Sequence, residues 1–331
     1  MSECISIIGG GSWGTALADL IAGNGYEVTV FAKEKEVVEG INKDNENGLF
    51  LAGHKLHSSI KAEALEKIKE SKVPRAVWAV PTQFSRDVAA MALHALEHSS
   101  VMIATKGIEI STGELIYDIL SEELNSNLTI LSGPSFAKEV AAKKPTAVSI
   151  ASNDEKERSY WQEIVSNTFF RAYTSEDVIG VEVGGAIKNV IAIATGISDG
   201  LGFGLNARAG LITRGLAEIT RLGLSLGAKH ETFMGLSGMG DLVLTATGDL
   251  SRNRNVGLKI AEGLSLKEIT ENMKMVAEGV FTAKAAHFLA ERVKVEMPIT
   301  NEVYKILYED KKPYQSVMDL MSRDLKSESV K

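Results

Sequence analysis

Ile5-Ser6-Ile7-Ile8-Gly9-Gly10-Gly11-Ser12-Trp13-Gly14-Thr15-Ala16-Leu17-Ala18 is a short apolar run that breaks into glycines and restarts with helical spacing. It reads as strand, tight turn and helix. Gly9, Gly11 and Gly14 satisfy the G-x-G-x-x-G spacing, which allows a sharp turn, close approach of a pyrophosphate to the main chain, and tight helix–strand packing. The N–H groups of the helix start then face the anion. In a chain with 30 glycines the spacing alone means little; its context decides. An apolar strand precedes it, a helical pattern over 15–22 follows, and after Gly23-Asn24-Gly25 comes a second strand, Val28-Thr29-Val30-Phe31. The stretch therefore points to a dinucleotide site, with a purely structural glycine turn as the alternative.

The chain has 331 residues, room for two ordinary domains with their own cores. Its 44% hydrophobic and 24% charged content is that of a soluble globular protein. A formal charge of −7 argues against a nucleic-acid or anionic-membrane surface as main partner. A small anionic ligand remains compatible, since local basic residues govern that. Cys4 is the single cysteine, so neither an internal disulfide nor a C-x-x-C pair is available. The six histidines show no metal-binding spacing. Without a signal-peptide pattern or a run of 18 apolar residues, no membrane insertion and a cytoplasmic location are expected.

After the second strand comes Ala32-Lys33-Glu34-Lys35, where such folds read the ribose. An acidic strand end bonds the 2′-hydroxyl, whereas a cation accommodates a 2′-phosphate. Lys33 at this point favours NADPH, or use of both cofactors, over strict NADH use; a solvated turn is the alternative. Residues 36–74 are polar and mixed, with a helix expected over 37–42. Strands follow at 75–82, 101–107 and 128–132. Lys106 falls at a strand's carboxyl end, where ligands of an open parallel sheet sit. Gly133-Pro134-Ser135-Phe136-Ala137 repeats the strand-to-helix turn, with Ser135 expected to cap the helix. Residues 145–151 and 169–173 read as closing strands. This alternation describes a Rossmann-type doubly wound, mostly parallel α/β domain over 1–178, followed by an all-α substrate domain over 179–331.

Residues 183–194 read as a helix apolar nearly all round, hence buried. Lys188 is its only cation, and a desolvated lysine is suited to giving and taking protons near neutral pH; a lysine that snorkels to the surface or pairs structurally is the alternative. Gly184 and Gly185, one turn earlier, would leave room for a flat ring or a substrate. Helices are expected over 211–222, 258–262, 266–273, 279–291 and 299–308. Two loops interrupt them. Residues 235–245 wrap glycines around Asp241, and Ser251-Arg252-Asn253-Arg254-Asn255 gathers donors before a helix at 256–260, suiting a phosphate dianion.

Together these pieces resemble the bacterial-type NAD(P)-dependent sn-glycerol-3-phosphate dehydrogenases over essentially the whole chain. The motifs are Gly9 to Ala16, Ala104-Thr105-Lys106-Gly107, Ser132 to Ala137, Gly184-Gly185-Ala186-Ile187-Lys188-Asn189, Asn206-Ala207-Arg208, Gly238-Met239-Gly240-Asp241-Leu242, Ser251-Arg252-Asn253 and Met297-Pro298-Ile299-Thr300. Gly10 stands where alanine is more familiar. The resemblance implies an NAD(P)H-dependent oxidoreductase acting on dihydroxyacetone phosphate and sn-glycerol 3-phosphate, supplying phospholipid precursor. It implies Ser12, Trp13 and Lys33 on the cofactor, with Lys106, Ala137, Arg252, Val276 and Glu278 also contacting it. For the substrate it implies Lys106, Gly133, Ser135, Lys188, Asn189, Asp241, Thr245, Ser251, Arg252 and Asn253. Lys188 would be proton donor and acceptor, with Lys106 and Asp241 assisting. The apolar helical half leads us to expect a homodimer.

Overall fold

The computed structural model describes residues 4–273, 277–325 and 327–328. The chain forms two compact units, one of residues 1–106 with 114–182 and one of 107–113 with 183–331.

The first unit carries β1 (Cys4–Ile8), β2 (Glu27–Ala32), β3 (Ile60–Ala64), β4 (Arg75–Trp78), β5 (Ser100–Ile103), β6 (Asn127–Ser132), β7 (Thr146–Ala151) and β8 (Phe170–Ser175). Their spatial order is β3-β2-β1-β4-β5-β6-β7-β8. The first six run parallel, whereas β7 opposes β6 and pairs in parallel with β8. Between them lie α1 (Ser12–Gly23), α2 (Lys35–Asp44), α3 (Ser85–Leu96), α4 (Ile116–Glu123), α5 (Ala137–Ala141) and α6 (Glu155–Val165).

Strand alternation explains why this sheet needs helices on both faces. Ile5, Ile7, Val77, Met102 and Leu131 enter one core with Leu17 and Ile21 of α1 and Trp161 of α6. Their strand neighbours Ile8, Ala76, Trp78, Ile103 and Ile130 enter the other, against Val88 of α3 and Ile119 of α4. This is the doubly wound, mostly parallel sheet that the sequence predicts. β1 pairs with both β2 and β4, so the turn after β1 stands where the strand order reverses, the place where such sheets bind ligands.

That turn is built from close contacts. Gly9 has φ +113°, and a Cβ there would lie 2.5 Å from the Ala79 carbonyl oxygen, while one on Gly14 would lie 2.1 Å from the Gly9 oxygen. Asn47, fully buried, supports it from below: its Nδ2 donates to the Gly10 carbonyl and to Thr15 Oγ1, each at 2.8 Å. At Gly10 a Cβ would sit 2.6 Å from that of Ala32, which accounts for glycine in place of the familiar alanine.

Several element bounds differ from the expectation. β3 lies within the stretch read as mixed: Ile60-Lys61-Ala62-Glu63-Ala64 alternates, but Lys, Glu and Ala are depleted in strands and β3 is an edge. The strand expected over 75–82 stops at Trp78, and Pro81 leads into a 3₁₀ turn, Thr82–Phe84. β5 stops at Ile103, leaving Lys106 in the loop beyond.

The second unit is helical: α7 (Val178–Gly200), α8 (Gly204–Ser225), α9 (His230–Phe233), α10 (Asp241–Thr247), α11 (Arg252–Ala261), α12 (Leu266–Glu271), α13 (Glu278–Arg292), α14 (Pro298–Tyr308) and α15 (Pro313–Met321). α7 begins in the first unit, where Val178 and Val181 join the sheet core. It is long and apolar enough to cross a bilayer, but 94% of that apolar window is buried inside the protein, as in a core helix. Both supposed loops are largely helical. Residues Leu236–Gly240 form a π turn running into α10, and α11 already starts at Arg252. Glycines and polar side chains concealed these starts because the partners that stabilise them are remote in sequence.

The motif at Met297 to Thr300 has a structural role. Buried Glu218 of α8 accepts from the N–H groups of Ile299 (2.6 Å) and Thr300 (3.1 Å), capping α14, whose own N-cap residue makes no side-chain bond. Burial pushes the Glu218 carboxyl up to about 7, against these donors.

Glu182, early in α7, is buried and accepts the Tyr117 N–H at 2.9 Å. Burial raises its pKa from 4.5 to about 8, opposed by the Tyr117 bond and reinforced by Asp118. The unfolded chain therefore releases this proton first, and the carboxylate's penalty on folding grows from pH 4.5 to about 8, then levels. Glu182→Gln is expected to match the wild type near pH 4.5 and to gain stability over it as pH rises to 8, by a few kcal/mol at roughly 1.4 kcal/mol per pKa unit. Denaturant unfolding across this range checks it; a pH-independent difference would contradict the assignment.

Candidate active site

In the sheet unit, the β1–α1 turn offers an anion cradle. α1 has Gly11 as N-cap with no side-chain capping bond, so the N–H groups of its first turn are not taken by a cap. A Cβ on Gly11 would meet no atom within 4 Å, which leaves the approach to the main chain open. Ser12 and Trp13 open α1, and Trp13 packs with Ala137 against Ala16, Leu51 and Ala141. These features fit the pyrophosphate of a dinucleotide. Lys33 is exposed just past β2, its Nζ 6.0 Å from the Phe84 ring centroid.

Lys106, Gly133 and Ser135 come together as a second cluster in the same unit. The Gly133 carbonyl accepts from Lys106 Nζ at 3.1 Å and from Ser135 Oγ at 3.0 Å. Ser135 thus does not cap the following helix as expected. α5 begins after Phe136 and has no side-chain cap, because the Ser135 hydroxyl is turned back onto the β6 end.

The helical unit holds a buried ionic centre. Lys188 is 6% exposed and Asp241 1%; Lys188 Nζ donates to Asp241 Oδ1 at 2.5 Å and to Thr245 Oγ1 at 3.0 Å. The Thr245 hydroxyl in turn donates to the Asp241 carbonyl at 2.7 Å. Asp241 and Thr245 are one helical turn apart on α10, so a single face presents both to α7. Paired burial of this kind costs desolvation on both ions and is tolerated only with good geometry and further hydrogen bonds. Gly184 does not leave the room expected for a ring: a Cβ there would lie 2.5 Å from the Ser237 carbonyl oxygen. Its role is to let the π turn press against α7.

Beside Lys188, Asn189 Oδ1 accepts from Asn253 Nδ2 at 2.9 Å, and Asn253 Oδ1 accepts the Gly279 N–H at 2.9 Å. Asn253 thereby joins α7, α11 and the start of α13. Ser251 caps α11 by accepting the Arg254 N–H at 3.2 Å. Arg252, the first residue of α11, is exposed. Desolvation lowers its pKa and the carboxylate of Glu278 opposes that shift; a guanidinium keeps its charge throughout. An exposed cation at a capped helix start, between a buried serine and a buried asparagine, is chemistry for an anion. Val276 lies outside the described residues.

Within their respective units, the structure thus bonds Lys106 and Ser135 to Gly133, Lys188 to Asp241 and Thr245, and Asn189 to Asn253. Sequence reasoning missed Asn47, whose partners Gly10 and Thr15 lie more than thirty positions earlier, so no local pattern marks it. Glu218 escaped notice likewise, reading as one more charge on an amphipathic helix.

Comparison with known proteins gives one answer for both units. The N-terminal model of NAD-dependent glycerol-3-phosphate dehydrogenase matches residues 4–158 and the C-terminal model residues 177–318. The chain is 50% identical to glycerol-3-phosphate dehydrogenase [NAD(P)+] of Geobacter sp. strain M21 over 100% of both chains, and 51% identical to that of Geobacter sulfurreducens over 99% of both. Among solved structures, glycerol-3-phosphate dehydrogenase from Coxiella burnetii superposes with a TM-score of 0.93 at 39% identity, covering 97% of this chain and 99% of the other. The chain belongs to the NAD-dependent glycerol-3-phosphate dehydrogenase family.

Proposed function

We infer that the protein is an NAD(P)-dependent oxidoreductase that interconverts dihydroxyacetone phosphate and sn-glycerol 3-phosphate. Membership of the family supports the reaction, and the buried Lys188–Asp241–Thr245 centre carries the reading of how this chain performs it. The bound nicotinamide supplies or accepts the hydride at substrate C2. The residues supply binding, charge and a proton. Lys188, with the Asp241 carboxylate 2.5 Å away, is placed to present an ammonium to a forming C2 alkoxide. It stabilises the developing charge, then protonates the oxygen; in the reverse direction it takes the proton back. Thr245 fixes the ammonium's direction by accepting one of its three protons. Lys106 is assigned to a substrate oxygen, with Gly133 and Ser135 beside it. Arg252, with Ser251 and Asn253, is assigned to the phosphate, whose binding energy is converted into alignment at C2. Ser12, Trp13, Lys33 and Ala137 of the sheet unit, and Arg252, Val276 and Glu278 of the helical unit, are assigned to the cofactor.

We also propose a homodimer and a cytoplasmic location. Leu205, Tyr314 and Met321 of the helical unit are 73%, 58% and 76% exposed, apolar side chains that we assign to the contact with a second copy.

Three measurements test these readings. Lys188→Ala should lower kcat with dihydroxyacetone phosphate by roughly 10²- to 10⁴-fold while leaving NAD(P)H binding nearly intact, and Arg252→Ala should instead raise the KM of the phosphorylated substrate; near-normal turnover without Lys188 removes it from the chemistry. Lys33→Glu should shift the kcat/KM ratio of NADPH to NADH toward NADH, since a carboxylate repels the 2′-phosphate; an unchanged ratio dissociates Lys33 from cofactor choice. Light scattering should give twice the chain mass, and Leu205→Glu with Met321→Glu should halve it, whereas a wild-type monomer contradicts the dimer.

A further inference from the structure

The motif Asn206-Ala207-Arg208 and the second arginine of Ser251-Arg252-Asn253-Arg254 are not used by the chemistry above. Both converge on Asp199, near the end of α7. Asp199 Oδ2 accepts from Arg254 Nε at 2.9 Å and lies 2.8 Å from its terminal nitrogen, two arms of the guanidinium fork converging on one oxygen, and Oδ1 accepts from Arg208 Nε at 2.8 Å. The Asp199 side chain is 7% exposed and that of Arg254 11%, so this is an interior ionic cluster whose geometry is set by packing. A weaker contact from Arg254 reaches Asp249, whose side chain is 98% exposed and solvated.

Arg254 is fixed by its backbone as well as by its guanidinium. Its N–H is the donor that Ser251 accepts in capping α11. Its carbonyl lies where a Cβ on Gly196 of α7 would come within 2.1 Å, and a Cβ on Gly257 would come within 2.2 Å of the Ile193 carbonyl. α7 and α11 therefore touch backbone to backbone at the point where the Asp199 fork closes. The same α7 carries Lys188, eleven residues earlier or about 16 Å along the axis at 1.5 Å per residue. A helix of this length packed on all sides is a stiff rod.

We propose that Asp199, through its fork to Arg254 and its second bond to Arg208, is the positioning element that holds the Ser251–Arg252–Asn253 turn in register with Lys188. The inference rests on the assignment of that turn to the substrate phosphate. Asp199 and Arg254 touch neither substrate nor cofactor in this reading. They fix where the phosphate grip stands against α7, so that releasing Arg254 loosens the hold on the substrate phosphate and weakens binding of the phosphorylated substrate.

Arg254→Lys is the principal test, because it keeps the charge but loses the planar fork. The KM of dihydroxyacetone phosphate and the inhibition constant of inorganic phosphate should rise together, roughly tenfold or more, with saturated kcat within about threefold of wild type. In an Arg252→Ala background the same substitution should add little, since both act on one contact and their effects are not additive. Arg208→Gln, on the more exposed side of Asp199, should move both constants in the same direction by less, and stands in should Arg254→Lys fail to fold. A merely structural cluster would lower melting temperature and active fraction without altering KM or the phosphate constant, and that outcome overturns the proposal, as does full additivity with Arg252→Ala. A wild-type chain inert towards dihydroxyacetone phosphate would overturn the functional reading and this inference with it; an active wild type whose variants keep normal KM overturns the inference alone.

Discussion

The ion pair between Lys188 and Asp241 is the constraint on which the helical unit turns. Two charges removed from water cost several kcal/mol each unless their geometry and hydrogen bonding are nearly complete, and here both conditions depend on neighbours. Thr245 accepts one ammonium proton because it stands one turn after Asp241. Asp241 reaches Lys188 because the π turn before α10 packs against Gly184. Loosening any of these leaves a buried ammonium without its carboxylate, so the centre demands a rigid setting, and α7 supplies it.

In the sheet unit the governing constraint is steric. Two faces of a parallel sheet must be covered at once, and the alternation of Ile5 and Ile7 against Ile8, or of Val77 against Ala76 and Trp78, sends neighbouring residues into separate cores. The turn after β1 then has little space: Gly9 and Gly14 meet main-chain oxygens where any side chain would collide. Asn47 satisfies the Gly10 carbonyl from beneath, which keeps a buried backbone acceptor paired. The cradle is shaped by packing on its inner side, and its outer side, at Gly11, is left open.

Much of this was legible in the residues alone. The glycine turn, most of the strands that follow it and the burial of Lys188 in an apolar helix all follow from local periodicity and chemistry. The failures have a common form. Gly238-Met239-Gly240 and Ser251-Arg252-Asn253 lack helical propensity and so read as loops at the starts of α10 and α11; packing against α7 overrides that preference. Ser135 has the residue type of a cap, yet its hydroxyl is drawn to the Gly133 carbonyl. β3 was missed because an edge strand buries only one face and needs few of the usual apolar residues.

The amino-acid sequence by itself determined the class of fold, the place of the dinucleotide turn and the burial of Lys188 in an apolar helix, since each depends on periodicity or residue chemistry within a few positions. Only the tertiary structure decided what those residues are bonded to. Asn47 under Gly10, Glu218 under Ile299 and Thr300, and Asp199 between Arg208 and Arg254 are contacts across 37, 81 and 55 positions. A buried polar group must find a partner somewhere, but which partner is set by how the elements pack, and that information is spread over the whole core.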